Sequence, residues 1–298
     1  MKENLLNIET VHECNCCLGY RTLHPLVSVI DLSQANLEQC TIKFDFYTVI
    51  MLEGDVEDFL YGRKYYDYSN ASLLFLTPGE SIQIDHSELL RRKGWLLAFH
   101  PDLLCCTSLG GHIDEYTFFF YKPDEALHLS LREKSKIIDC LHNIGDELEH
   151  AIDCHSKTLI SRHIELLLDY CTRFYERQFI TRCEANKSIV RQTNILLDEY
   201  IQSGKLKQGV LPSTEYCAGK LHLSSHYFSD LLYFETGQSI HEYFQFKRLE
   251  ASKTMLLEQG NTVGAVARKL GYPNVQYFSR IFKKITGIAP GDYRLAQN

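Results

Sequence analysis

A twelve-residue segment occurs twice near the C-terminus, as HYFSDLLYFETG from His226 to Gly237 and as QYFSRIFKKITG from Gln276 to Gly287. Five positions coincide in register: Tyr227 with Tyr277, Phe228 with Phe278, Ser229 with Ser279, Thr236 with Thr286, and Gly237 with Gly287. A repeat at this spacing restricts the fold sharply, because each copy must be one supersecondary unit that buries its apolar face against neighbouring segments. In the later copy Phe278, Ile281, Phe282 and Ile285 fall at i, i+3, i+4 and i+7, the spacing of a core-facing helical stripe. Gln276, Arg280 and Lys283 line the opposite face.

The residues before that copy complete a motif. TVGAVARKLGYPN places Val263, Val266, Ala267 and Leu270 on a second stripe, with Thr262 as N-cap and Gly271 where a helix ends in a left-handed residue. Asn274 can cap the helix that follows. A short helix, a tight turn and a second helix form a helix-turn-helix unit. Its second helix suits the major groove of B-DNA, where Gln and Arg can make paired hydrogen bonds to base edges. The earlier copy follows the same plan: Ser213 caps TEYCAGKL, His222-Leu223 forms the turn, and Ser224 or Ser225 starts a helix with Phe228, Leu231 and Leu232 inside. Ala218, Lys220 and Leu221 match Ala267, Lys269 and Leu270 at an offset one residue shorter, and that difference falls in the turn, where an insertion costs least.

Between the copies, SIHEYFQFKRLEASKTMLLEQGN has helical composition, with Leu249, Ser252, Met255 and Leu256 on one side. Helical from Ile240 to Leu256, it would be about 26 Å long. Successive major-groove faces lie roughly 34 Å apart along one side of a duplex. A stiff connector of that length would let one chain hold two reading helices in neighbouring groove segments, which explains why the unit is duplicated.

The charge distribution agrees. The net charge of -7 hides an asymmetry: from Ser188 onward 13 Lys and Arg stand against 9 Asp and Glu (+4), leaving 18 against 29 (-11) for residues 1–187. The C-terminal third is the part suited to a polyanion. One amphipathic helix with Gln, Arg and Lys outside is an ordinary surface helix, but two in register within the most basic stretch are not.

Upstream, the first 125 residues are β-rich. TIKFDFY alternates Ile42, Phe44 and Phe46 on one face; SLLFLTPGESIQI reads as two short strands joined through a Pro78-Gly79 turn; GWLLAFHP is a further strand stopped by Pro101. This spacing suggests a small sandwich or barrel. After Asp124 the period becomes helical, with Ile137, Leu141, Ile144 and Leu148 in one segment and Leu159, His163, Leu166, Leu167, Tyr170 and Phe174 in the next. These helices would pack on the β domain or on a second copy of the chain. TRCEANKS, Thr181 to Ser188, reads as a linker.

Residues 188–298 resemble the DNA-binding domain of AraC/XylS-type transcriptional regulators. The stretch AVARKLGYPNVQYFSRIFKKITGIAPGDYR carries the resemblance through Gly271-Tyr272, Tyr277-Phe278-Ser279-Arg280, Phe282-Lys283-Lys284, Gly287, Pro290 and Tyr293-Arg294. EYFQFKRLEASKTMLL is similar to the family's connecting helix, with Ser252 where Ala is usual. The resemblance implies an α+β multidomain fold. A small β-barrel, cupin-like sensor domain would occupy 1–125, a helical dimerisation or packing region 126–181, and a linker 182–188. An all-α DNA-binding domain would occupy 189–298, with helix-turn-helix units at about 213–237 and 262–287 joined by a helix at about 239–257. It implies a promoter-DNA-binding activator, RNA polymerase as a further partner, and a homodimer, with Ser225, His226, Ser229, Asp230, Asn274, Gln276, Tyr277, Arg280, Lys283 and Lys284 at the DNA. In the first unit His226, Asp230 and Tyr233 stand where the family usually carries a basic residue, so the second unit is expected to supply more of the binding.

Other constellations are weaker. HECNCC offers His12, Cys14, Cys16 and Cys17, ligand types for zinc or soft metals, but the spacing fits no standard zinc pattern. A thiol- or metal-responsive regulator is the alternative reading. Cys105 and Cys106 read as small buried hydrophobes. The closely spaced His pair and carboxylate of metal-dependent cupins is missing, which disfavours a cupin enzyme with a DNA-binding tail, so no cofactor or enzymatic activity is expected. A small effector held by apolar burial remains the expected ligand of the β domain. MKENLLNIETVHEC has no basic start followed by an apolar run, and no stretch nears the roughly 20 apolar residues of a membrane span. No membrane association and a cytoplasmic location are therefore expected, with the eleven Cys reduced.

Overall fold

The structure is a computed structural model that describes residues 5–34, 40–53, 62–84 and 93–297. The chain divides into two compact units, Met1–Arg182 and Cys183–Asn298. The first contains β1 (Leu5–Ile8), α1 (Val11–Leu18), β2 (Val27–Asp31), β3 (Cys40–Phe44), β4 (Tyr47–Leu52), β5 (Ala71–Leu76), β6 (Ser81–Ile84) and β7 (Gly94–Phe99). Short helices α2 (Pro101–Leu104) and α3 (Ser108–His112), strand β8 (Leu127–Leu129), and long helices α4 (Leu131–Glu149) and α5 (Ser156–Thr181) complete it.

Strands β2-β7-β4-β5-β8 form an antiparallel five-stranded sheet, and β1-β3-β6 a three-stranded one in which β1 runs parallel to β3. The central strands of the larger sheet are apolar on both faces, and the structure shows why. In β4, Val49 and Met51 join a core shared with α4 and α5, whereas Ile50 and Leu52 join one shared with α1 and the smaller sheet. In β5, Leu73 and Phe75 divide from Leu74 and Leu76 in the same way. A sheet covered on both sides needs near-continuous apolar runs instead of strict alternation. The unit is thus layered, with helices on one face of the main sheet and the small sheet on the other.

Several expectations are corrected. The strand pairing of the described residues makes two sheets. TIKFDFY is not one strand: Ile42, Phe44 and Phe46 are all buried, but the chain bends after Phe44 and continues into the other sheet as β4. The two strands of SLLFLTPGESIQI likewise separate into different sheets. Their turn follows the type II expectation, with Gly79 at φ 90° and the Glu80 N–H donating to the Thr77 carbonyl at 3.1 Å. Sheet structure continues past residue 125 through β8. In α4 the expected Ile137, Leu141, Ile144 and Leu148 are buried. In α5 the buried face is Ile160, Ile164, Leu167, Leu168, Cys171, Phe174 and Tyr175, while Leu159 and Leu166 are exposed. Cys105 and Cys106 are exposed as well, because they lie in the turn between α2 and α3 rather than in the core.

The second unit is helical: α6 (Cys183–Gln202), α7 (Thr214–Lys220), α8 (Ser225–Thr236), α9 (Ile240–Leu257), α10 (Val263–Lys269), α11 (Val275–Thr286) and α12 (Pro290–Gln297), with a 3-10 turn at Lys205–Gln208. The expected linker at 182–188 is instead helical from Cys183, the first residue of α6, and Asn186 is buried. Polar composition alone cannot separate a loop from an amphipathic helix that keeps its polar face in water. One core joins all the large helices through Leu197, Phe228, Leu232, Phe244, Leu249, Leu256, Leu270, Phe278 and Phe282.

Candidate nucleic-acid interface

The repeated residues build the same local geometry twice. α7 starts at Ser213, whose hydroxyl accepts from the Tyr216 N–H, and α10 at Thr262, whose hydroxyl accepts from the Ala265 N–H, both at 3.1 Å. Each ends in a left-handed residue, His222 at φ 61° and Gly271 at φ 71°. One residue further on, the N–H of Leu223 returns to the Ala218 carbonyl at 3.0 Å and that of Tyr272 to the Ala267 carbonyl at 2.9 Å. The register offset falls here, since α8 is capped by Ser224 and α11 by Asn274.

The shared Thr-Gly ending closes the second helices. The Thr236 hydroxyl donates to the Leu232 carbonyl at 2.6 Å and accepts from the Gln238 N–H at 3.2 Å. Thr286 donates to the Phe282 carbonyl at 2.7 Å and accepts from the Ile288 N–H at 3.5 Å. Gly237 and Gly287 follow at φ 69° and 84°, each returning its N–H to the carbonyl four residues earlier. The repeat therefore encodes a cap, a reversal and a stop.

In α11, Phe278 and Phe282 are completely buried and Ile281 half-buried, which fixes the helix by one narrow stripe. Ile285, expected to complete that stripe, is 58% exposed, because the apolar contact ends one turn earlier. Asn274, Gln276, Tyr277, Arg280, Lys283 and Lys284 are all exposed. The Asn274 side chain accepts from the Tyr277 N–H at 2.7 Å, and the Arg280 guanidinium lies 5.5 Å from the Tyr277 ring. Lys283 and Lys284 occupy the last turn, where the helix dipole favours cations.

The α8 face differs. His226 is exposed, but Ser225, Ser229 and Asp230 are only half-exposed. Tyr227, the counterpart of exposed Tyr277, is buried at 3%, so one repeated residue serves two purposes. Nearby, the Glu215 carboxyl is held below its ordinary range by its own backbone N–H, the Ser213 hydroxyl and the His226 ring. The structure thus gathers the second-unit candidates on one basic helix face, whereas His226 of the first unit lies near the Glu215 carboxylate.

Sequence periodicity missed Arg248. Its guanidinium is buried 3.8 Å above the Tyr272 ring and pins α9 to the second turn. The available signal was its place on the buried 244–248–252–256 series of α9. Ser252, on the same series, satisfies its hydroxyl at the Leu249 carbonyl, 2.6 Å away.

The cysteine-rich segment forms α1. Cys14 is buried and its thiol is pushed up to about 12, by burial first and Cys17 second, which keeps it protonated and poorly suited to a metal. Among the described residues no group of three or more His, Cys, Asp or Glu could hold a metal ion.

Residues 217–296 match the family described as a helix-turn-helix domain. The chain is 42% identical over 77 residues to the uncharacterised HTH-type transcriptional regulator YtdP of Bacillus subtilis (strain 168), covering 26% of this chain and 10% of that protein. It is 38% identical over 73 residues to YobQ of the same organism, another uncharacterised HTH-type transcriptional regulator, covering 24% and 30%. It is 32% identical over 60 residues to the xylose operon regulatory protein of Escherichia coli (strain K12), covering 20% and 15%. The chain spans less than a third of each of these relatives. The C-terminal region of this chain is therefore an AraC-type helix-turn-helix domain, and the proteins that share it are transcriptional regulators.

Proposed function

We propose that this protein is a sequence-specific regulator of transcription that presents α11 and α8 to neighbouring major-groove segments of promoter DNA. The observation that carries the reading is the division of α11, with Phe278 and Phe282 fully buried behind a face on which Gln276, Arg280, Lys283 and Lys284 are all exposed. Gln276 and Arg280 read base edges, with Asn274 and Tyr277 at the helix start; Lys283 and Lys284 neutralise phosphates. Ser225, His226 and Ser229 form the weaker first-unit contacts, and Asp230 accepts from a cytosine amino group. Helix α9, with 18 residues, is about 27 Å long and serves as the spacer.

The reading extends to activation, with RNA polymerase as a protein partner, and to a homodimer formed through 131–180. Exposed Leu159 and Leu166 on α5 support the dimer. A cavity of about 350 Å³ whose lining includes Phe75, Phe118, Tyr121 and Tyr175 supports a small effector of the first unit, which would act by favouring one arrangement of the two readers. Among the described residues no helix is long and apolar enough to cross a membrane, and we place the protein with its DNA in the cytoplasm.

Salt dependence tests the reading. If four or more phosphates are contacted, log affinity for a bound promoter fragment should fall against log salt with a slope of about -4 or steeper. A slope near zero would contradict phosphate-based binding.

A further inference from the structure

The first unit is acidic, yet a cleft of about 940 Å³ at the first turns of α4 and the second half of α5 is lined by Arg132, Lys136, Arg173 and Arg177. Two carboxylates, Glu133 and Asp139, also line it. Glu133 is already committed. It accepts from the Ser130 N–H at 2.8 Å and hydroxyl at 2.9 Å, and from Arg177 Nε at 3.0 Å and Nη2 at 2.9 Å. Arg177 is held further by the His128 carbonyl at 2.7 Å and stands 4.8 Å from the Tyr68 ring. Its Nη1 is buried without a hydrogen-bond partner among the described residues.

Arg132, Lys136 and Arg173 are exposed, and none forms an ion pair with a described residue. The Lys136 ammonium instead lies 5.3 Å from the Tyr170 ring. On an ordinary solvated helix face, cations are interspersed with acids that relieve their mutual repulsion. Here four cations line one cleft against two carboxylates, Glu133 and the exposed Asp139, and the positive end of the 19-residue helix α4 adds to the cations. The volume falls within the range of small-molecule sites.

We infer that this cleft binds a small phosphorylated molecule, outside both the DNA-reading unit and the cavity beside Phe75. A monocarboxylate would neutralise one of the three unpaired cations. A phosphoryl group brings up to two charges and three acceptor oxygens, and matches the fork of Arg132 or Arg173. Tyr170 and Phe174 in the lining give an apolar surface for the rest of the molecule. The assignment does not depend on whether the second unit binds a promoter.

Calorimetric titration of the full chain with pyrophosphate, and separately with citrate as a carboxylate probe, tests it at fixed ionic strength. Saturable pyrophosphate binding is expected, tighter than that of citrate. It should weaken at least about tenfold in the Lys136→Gln, Arg173→Gln double variant, whose side chains are exposed and whose melting temperature without ligand should not change. It should persist in Arg280→Gln, Lys283→Gln, which removes cations from α11. Absence of saturable binding, or loss in the α11 variant with retention in the α4–α5 variant, would overturn the site. Citrate binding as tight as pyrophosphate would overturn the phosphoryl assignment.

Discussion

Phe278→Ala should cost about 3–5 kcal/mol, the range for truncating a fully buried Phe. Its ring has no solvent exposure and sits 4.9 Å from Tyr272 and 5.7 Å from Phe282. Since a domain's whole stability is about 5–15 kcal/mol, this loss would leave the second unit substantially unfolded near its melting point and abolish DNA binding at that temperature. Ile285→Ala, in the same helix but 58% exposed, should stay within about 0.5 kcal/mol of the parent. Urea denaturation of the full chain, followed by helical signal, measures both. Equal effects would mean that α11 is not held by the Phe278 stripe.

Gly271→Ala should be nearly as damaging, for a different reason. Gly271 has φ 71°, and a Cβ there would lie 2.3 Å from the Leu206 carbonyl oxygen and 3.0 Å from its carbon. Left-handed backbone costs a non-glycine residue about 1–2 kcal/mol, and the collision forces the Lys205–Gln208 turn away from α10 as well. A total of about 3 kcal/mol is expected. Gly287→Ala supplies the comparison, since φ there is 84° but nothing lies within 4 Å of the added atom. It should show the backbone cost alone, about 1–2 kcal/mol. If the two variants lose equal stability in denaturant, the close approach to Leu206 plays no part.

The reversal at Gly271 and the caps at Ser213, Thr262 and Asn274 were readable in the sequence because each depends on local backbone chemistry. Faces chosen by distant partners were not. In α5 the expected series, Leu159, His163, Leu166, Leu167, Tyr170 and Phe174, overlaps the buried one, Ile160, Ile164, Leu167, Leu168, Cys171 and Phe174, and packing against α4 and β8 selects the second. Strand alternation, likewise, cannot say where a chain leaves one sheet for another, as it does after Phe44 and after Pro78-Gly79. At the candidate interface the sequence showed which residues face outward on α11. It could not show that Tyr227 is buried while Tyr277 is exposed, a difference set by how each copy meets the core.

That asymmetry leads to the most direct test. A promoter fragment recovered by genome-wide mapping of bound sites should be titrated at constant salt with the parent protein, Arg280→Ala and His226→Ala. The account predicts that Arg280→Ala weakens specific binding by about 1–3 kcal/mol and blurs discrimination at one base position, with a smaller loss for His226→Ala. An Arg280→Ala protein that binds the fragment as tightly as the parent, or a larger loss from His226→Ala, would contradict the assignment of α11 as the principal reading helix.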